Sequence, residues 1–218
     1  MDIHNKEDSN TPKLPCNCKS NIEILHRQLR KTELAIVKCL VKLIEAKDPY
    51  TAGHSERVTR LAMNFAVYLN LEKGRRMILE YACILHDIGK IGIPEHILNR
   101  TEKLTADEFD IIKKHPQIGY DAVKELDFLK GVGEIIIQHH ERVDGMGYPN
   151  GLKADRINYL SKILCLCDSY DAMTSDRAYR KKLEIGTVMQ ELQKASGTQF
   201  DPYLTEQFIS FLASPNRN

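Results

Sequence analysis

The sequence predicts an all-α domain. Apolar residues recur at alternating three- and four-residue steps over most of its length, the period of an amphipathic helix. No stretch sustains period-two alternation between hairpin turns; the brief apolar run from Glu134 to Ile137 comes nearest to a strand. Glycine and proline cluster in one place, Asp144-Gly-Met-Gly-Tyr-Pro-Asn-Gly151, which leaves the remainder open to helix.

Taken in order, residues 1–19 hold Pro12 and Pro15 among polar residues without periodicity and read as a disordered tail. A helix is expected over 20–47, with Ser20 as N-cap and Glu23 completing a capping box. Within it Ile22, Leu25, Leu29, Thr32, Ile36, Cys39 and Leu43 form a heptad seam, weakest at Thr32. That seam suits a homodimer held by a short coiled coil or packing on the chain's own domain, and the pattern leaves both open. Asp48-Pro49 should end this helix, and Thr51 or Gly53 should open the next, which carries Val58, Leu61, Ala62, Phe65 and Leu69 on one face. Further helices are expected over about 72–87, 105–114, 116–126, 131–141, 156–173, 184–195 and 202–212, within a domain spanning 48–214. The glycine-rich run at 144–151 must be an irregular loop.

Composition removes several function classes. The 218 residues carry 31 Lys+Arg against 30 Asp+Glu, so no whole-chain field draws the protein to bulk nucleic acid or anionic lipid. Hydrophobic residues at 42% and charged residues at 28% describe a globular chain, and no apolar run approaches the ~20 residues of a spanning helix. The polar start, without a basic n-region or apolar h-region, points to the cytoplasm. Six cysteines in such a compartment are not a disulfide framework, and neither Cys16/Cys18 nor Cys165/Cys167 has the C-x2-C spacing of a zinc knuckle. Cys83, Cys165 and Cys167 read as small core residues.

The histidines carry the chemistry. His86-Asp87 closes the apolar stretch Tyr81-Ala-Cys-Ile-Leu85, and His139-His140 follows Ile135-Ile-Ile137. His54 opens a helix, His115 precedes Pro116 at a helix junction, and Asp168 sits on the apolar helix Ile163-Leu-Cys-Leu-Cys167. Any one of these alone reads as a cap or a surface group. Together, five of eight histidines and two aspartates lie at helix ends or on apolar helix stretches, which is what a metal centre inside a helical bundle requires. Imidazole and carboxylate without thiolate suit Mn, Fe, Ni, Co or Zn.

Four segments then resemble one family. His54-Ser-Glu-Arg-Val58, His86-Asp87-Ile-Gly-Lys90, Lys114-His115-Pro116 and above all His139-His-Glu-Arg-Val-Asp-Gly-Met-Gly-Tyr-Pro149 are similar to the HD-GYP domain, a branch of the HD metal-dependent phosphohydrolases, from about Asp48 to Phe211. The resemblance implies metal ligation by His54, His86, Asp87, His115, His139, His140 and Asp168, and cyclic di-GMP as substrate, cut to pGpG or GMP. It also implies that Asp87 and Lys90 act at the reacting phosphate. Seven ligands exceed one octahedron, so two divalent ions are expected, iron or manganese first among them, with Asp87 bridging. A third metal in some relatives is held by a glutamate at a position that is Tyr50 here.

The run Asp171-Ala-Met-Thr-Ser-Asp-Arg177-Ala-Tyr-Arg180 resembles the family's phosphate- and base-contacting segment. Arg177 and Arg180 are therefore expected on the second phosphate or the guanine edges, through their planar forks. Asp171 and Asp176 are expected to orient these arginines or water. Tyr148 is a stacking candidate for a guanine, and its loop is implied as a docking surface for GGDEF-domain proteins. Two rivals keep the fold: a cyclic-dinucleotide sensor or scaffold with little turnover, and a hydrolase for another nucleotide, cyclic GMP-AMP or a (p)ppGpp-like compound.

Overall fold

The computed structural model describes residues 16–47, 53–176 and 181–214, with side chains from residue 21 onward. Ten α-helices lie among the described residues: α1 (Cys16–Lys47), α2 (His54–Tyr68), α3 (Lys73–Leu85), α4 (Glu95–Leu98), α5 (Ala106–Ile112), α6 (His115–Val123), α7 (Val132–Gln138), α8 (Tyr159–Thr174), α9 (Ile185–Ala195) and α10 (Pro202–Ala213). The described residues form no strand; two isolated bridges join Asp144 to Lys153 and Ser196 to Phe200. The all-α expectation holds, and Glu134–Ile137 lies inside α7.

Helix α1 begins at Cys16 rather than at Ser20. Residues 1–15, Asp48-Pro49, Tyr50 and Thr51 lie outside the described residues. Two compact units divide the chain, one ending at Ile36 and the other beginning at Val37, so the larger unit starts before residue 48. In the first unit α1 exposes Ile22, Leu25, Leu29 and Ile36. In the second it buries Val37, Val41 and Ile44 on one face and exposes Cys39, Leu40 and Leu43 on another. From Val37 onward the helix packs within the second unit through a stripe distinct from the heptad seam.

Helix α8 is the axis of the larger unit. Ile163, Leu164, Leu166 and Cys167 are fully buried on it, because α2, α3, α7, α9 and α10 surround it. Asn158 caps its start by accepting from Leu160 N at 2.9 Å, and Asp201 does the same for α10 through Leu204 N at 3.1 Å. Phe65, Phe208 and Phe211 tie α2 to α10, with Phe65 and Phe208 meeting edge to face at 4.9 Å. Truncating Phe208 to alanine would cost about 3–5 kcal/mol of this core. Cys83, Cys165 and Cys167 are buried free thiols, as expected of small core residues.

Around that axis the ends of several helices converge. α2 starts at His54, α3 runs into His86, α6 starts at His115 and α7 runs into His139. Between α3 and α4 a 3-10 segment, Ile88–Gly92, lies against α6. That approach depends on Gly89: a Cβ there would sit 1.9 Å from His115 O and 2.6 Å from Gly119 N. No helix is long and apolar enough to cross a membrane among the described residues.

Candidate metal centre

The sequence places its histidines after apolar runs or at helix starts, and the fold turns that into burial. His54, His86, His115 and His139 are each no more than 4% exposed, where an imidazole loses water and needs another partner. Three of them find the same one. Nδ1 of His86, His115 and His139 each donates to the carbonyl three residues earlier, of Cys83, Ile112 and Ile136, at 2.8, 2.8 and 2.6 Å. A carbonyl only accepts, so Nδ1 of each ring carries a proton and Nε2 is the nitrogen turned inward.

Those nitrogens point at one another. His115 Nε2 and His139 Nε2 are 3.3 Å apart, and buried His86 Nε2 has no hydrogen-bond partner. Burial pushes His139 well below the usual imidazole range and His140 down to about 3, with the neighbouring histidines adding to the effect. His115 is lowered as well, by burial against the pull of Asp87. Buried nitrogens that face one another, or, like His86 Nε2, have no hydrogen-bond partner, are a cost that a cation would relieve, so the residues present fit a metal centre.

The ligand atoms fall into two groups, His115, His139 and His140 in one and His54, His86 and Asp87 in the other, all within 4.8 Å inside each group. Asp87 joins them: Oδ1 lies 3.4 Å from His115 Nε2, and Oδ2 lies 3.4 Å from His86 Nε2. Asp168 closes the second group, 3.1 Å from His54 Nε2. Burial alone would raise both aspartates, but the Lys90 ammonium holds Asp87 well below the carboxylate range, and His54 does the same for Asp168. All seven sequence-predicted metal ligands are therefore brought together.

Lys90 also arrives at the site, with Nζ 2.9 Å from Asp87 Oδ2. Tyr148 lies over His140 at 4.8 Å between ring centroids and meets Phe109 edge-on at 6.3 Å, so its ring lines the wall of the centre. Arg177 and Arg180 lie outside the described residues. Asp176 accepts from the backbone N of Lys182 at 2.9 Å.

The contacts of two groups were not read from the sequence. Asp171, expected to orient later arginines or water, grips Arg57 through Nε at 2.7 Å and Nη2 at 3.0 Å, and accepts from His54 Nδ1 at 2.7 Å. Its spacing of three from Asp168 puts both on one helix face, which is the signal that could have found these contacts. Glu141, 2% exposed, accepts from the backbone N–H groups of Asn150 and Leu152 at 2.7 and 2.9 Å and so ties the glycine-rich loop to α7. Gly147 lets that loop close, since a Cβ there would lie 2.4 Å from Arg142 N.

Comparison with known proteins agrees with this geometry. A family model described as HD domain matches residues 38–204. A cyclic di-GMP phosphodiesterase of Thermotoga maritima is 36% identical over 176 residues, 80% of this chain and 48% of that protein. A 3'3'-cGAMP-specific phosphodiesterase of Vibrio cholerae is 34% identical over 172 residues, 77% of this chain and 37% of that protein. Among solved structures, a cyclic GMP-AMP-specific phosphodiesterase of V. cholerae superposes with a TM-score of 0.61 at 21% identity, over 82% of this chain and 49% of the other, which shows a shared fold. The chain spans about half the length, or less, of the curated relatives it matches. With its His86-Asp87 pair at the meeting point of two ligand groups, the chain belongs to the HD domain family.

Proposed function

We propose that the chain is a metal-dependent phosphodiesterase that hydrolyses cyclic di-GMP to pGpG or GMP. The observation that carries the reading is Asp87, whose two carboxylate oxygens face one imidazole from each ligand group, the arrangement of a carboxylate shared by two cations. His54, His86 and Asp168 would hold one ion, His115, His139 and His140 the other, with iron or manganese the candidates for an all N/O donor set. When bound, such a pair supplies Lewis acidity toward the phosphodiester and lowers the pKa of water.

The chain's own residues supply the rest. Lys90 puts a cation at the rim of the centre, where it would neutralise a non-bridging phosphate oxygen. Tyr148 forms the wall beside His140, against which a base would pack. Arg177 and Arg180 complete the proposal as fork-shaped donors to the second phosphate or a guanine edge. Four free cysteines among the described residues support a reducing, cytoplasmic setting.

A second substrate is favoured by one finding: the relative named for 3'3'-cGAMP is nearly as similar as that named for cyclic di-GMP. Incubating metal-loaded protein with cyclic di-GMP, cyclic GMP-AMP and linear dinucleotides separates the two, and Asp87→Ala should abolish turnover of whichever is used. No product from any of them under manganese or anaerobic iron(II) overturns the reading.

For partners, the exposed seam Ile22, Leu25, Leu29, Ile36 and Leu43 supports a homodimer through a parallel or antiparallel pairing of α1. Leu29→Glu in the full chain should halve the mass in solution. Met146, 79% exposed at the tip of the glycine-rich loop, supports that loop as the docking point for a GGDEF-domain protein.

A further inference from the structure

We propose that the last turn of α1 is a positioning element of the metal centre, in which Glu45 and Lys47 hold the two segments that carry His54 and Asp87–Lys90. The inference rests on the function proposed above only for its activity readout.

Helix α2 begins immediately at His54, and its N-cap, Gly53, has no side chain to satisfy the first amide groups. Glu45 does so from the preceding helix. Its Oε2 accepts from Gly53 N at 3.3 Å and its Oε1 from Ser55 N at 3.4 Å, placing a carboxylate at the positive end of α2. The residue between those two amides is the ligand His54.

Two residues further on, Lys47 holds the other segment. Its Nζ donates to Ile91 O at 2.8 Å and Ile93 O at 2.7 Å, at the closing end of the 3-10 segment that starts just after Asp87 and bears Lys90. Hydrogen bonds from an ammonium to carbonyls left over at a helix end are of the stronger, charge-assisted kind. The opposite end of that segment is pinned where Gly89 touches the His115 backbone. Lys47 is itself fixed, since its carbonyl accepts from Asn99 Nδ2 at 3.2 Å.

The two anchors share a wall with the site. Val41, Ile44 and Glu45 of α1 line a cavity of about 10 Å³ together with Ser55, Asp87 and Lys90, a space too small to let the turn shift without moving them. The hydrogen bonds of Glu45 and Lys47 go to backbone, so both act through the chain that carries His54 and Asp87–Lys90.

The test uses the full chain as wild type, Lys47→Met, Glu45→Ala and the conservative Lys47→Arg and Glu45→Gln. After chelation, Co(II) is titrated and followed by visible absorption, alongside thermal unfolding and kcat and KM for cyclic di-GMP. The expectation is about tenfold weaker Co(II) binding, with an altered spectrum, for Lys47→Met and Glu45→Ala at temperatures where both are folded. kcat should fall by a similar factor, KM should stay within about twofold, and the conservative pair should recover most of the loss. Wild-type Co(II) affinity, spectrum and kcat in both truncated variants overturns the proposal, whatever happens to their melting temperatures. If one of them does not fold, the other decides by the same criterion. If the wild type binds Co(II) yet cleaves no dinucleotide, the proposed activity fails while Co(II) binding still decides for or against the positioning role.

Discussion

Asp171 accepts a hydrogen bond from Nδ1 of His54 at 2.7 Å, on the side of the ring opposite Asp168, while Arg57 grips both of its oxygens. The carboxylate thereby fixes the tautomer that leaves Nε2 for an ion and raises the basicity of the ring as a ligand. Asp171→Asn removes the charge but keeps the shape. It should weaken metal binding by about 10–100-fold, measured by competition with a chelator of known affinity. Metal affinity unchanged within twofold would show that Asp171 only anchors Arg57.

The contact of Gly89 with the His115 carbonyl makes a sharp stability prediction. Gly89→Ala drives a Cβ into backbone on two sides and should cost at least about 3 kcal/mol, moving the Asp87–Lys90 segment off α6. Gly186→Ala is the control, because nothing lies within 4 Å of a Cβ built in that first turn of α9. It should be neutral or stabilise by up to about 1 kcal/mol. Urea denaturation of both variants, at equal m-value, reads the difference directly.

How much of this was legible beforehand follows from where the information sits. The residues that converge were readable where an apolar run forces them inward, as His139 follows Ile135 and Ile136 into the core, while His54 and His115 were readable from their places at helix starts. The helices were readable from their apolar periodicity, with boundaries displaced by a few residues: α8 starts at Tyr159, behind an Asn158 cap that periodicity alone does not show, rather than at 156. Contacts made through the backbone were not. Lys47 reaches carbonyls of Ile91 and Ile93, and Glu141 binds amides of Asn150 and Leu152, and any side chain at those four positions would serve equally. The heptad seam was visible, but not the second stripe of Val37, Val41 and Ile44, since two apolar faces on one helix overlap in a one-dimensional pattern.

In the metal-free protein His54 should make stability pH-dependent. Burial alone would lower its pKa, but hydrogen bonds to Asp168 and Asp171 carry it from 6.5 up to about 9. A folded-state pKa above the unfolded value gives a contribution fully present below about 6.5 and lost as pH rises through about 9. The chelated protein should therefore lose melting temperature between pH 6.5 and 8.5, and the decline should be shallower in His54→Gln. A divalent ion displaces the same proton, so metal binding in that range should release it, seen as a dependence of the calorimetric heat on buffer ionisation enthalpy. Equal heats in phosphate and Tris after dilution correction would show that His54 is already neutral.

The buried thiols give a test that does not involve the metal centre. Burial pushes the Cys165 thiol up to about 12, and Cys83 and Cys167 are raised further by burial with Asp168 or each other nearby. Only the thiolate is alkylated, and a pKa raised by three units above about 9 leaves roughly a thousandfold less of it at any pH below both values. Access compounds the effect, since all three side chains lie in the core while Cys39 is exposed on α1. Native protein treated with iodoacetamide at pH 8 should be modified at Cys39 within minutes and stay unmodified at Cys83, Cys165 and Cys167 for hours. In urea all four should react at comparable rates, and peptide mapping by mass spectrometry resolves each site. Early modification of Cys167 in the native state would mean that the α8 core opens locally far more readily than its burial allows.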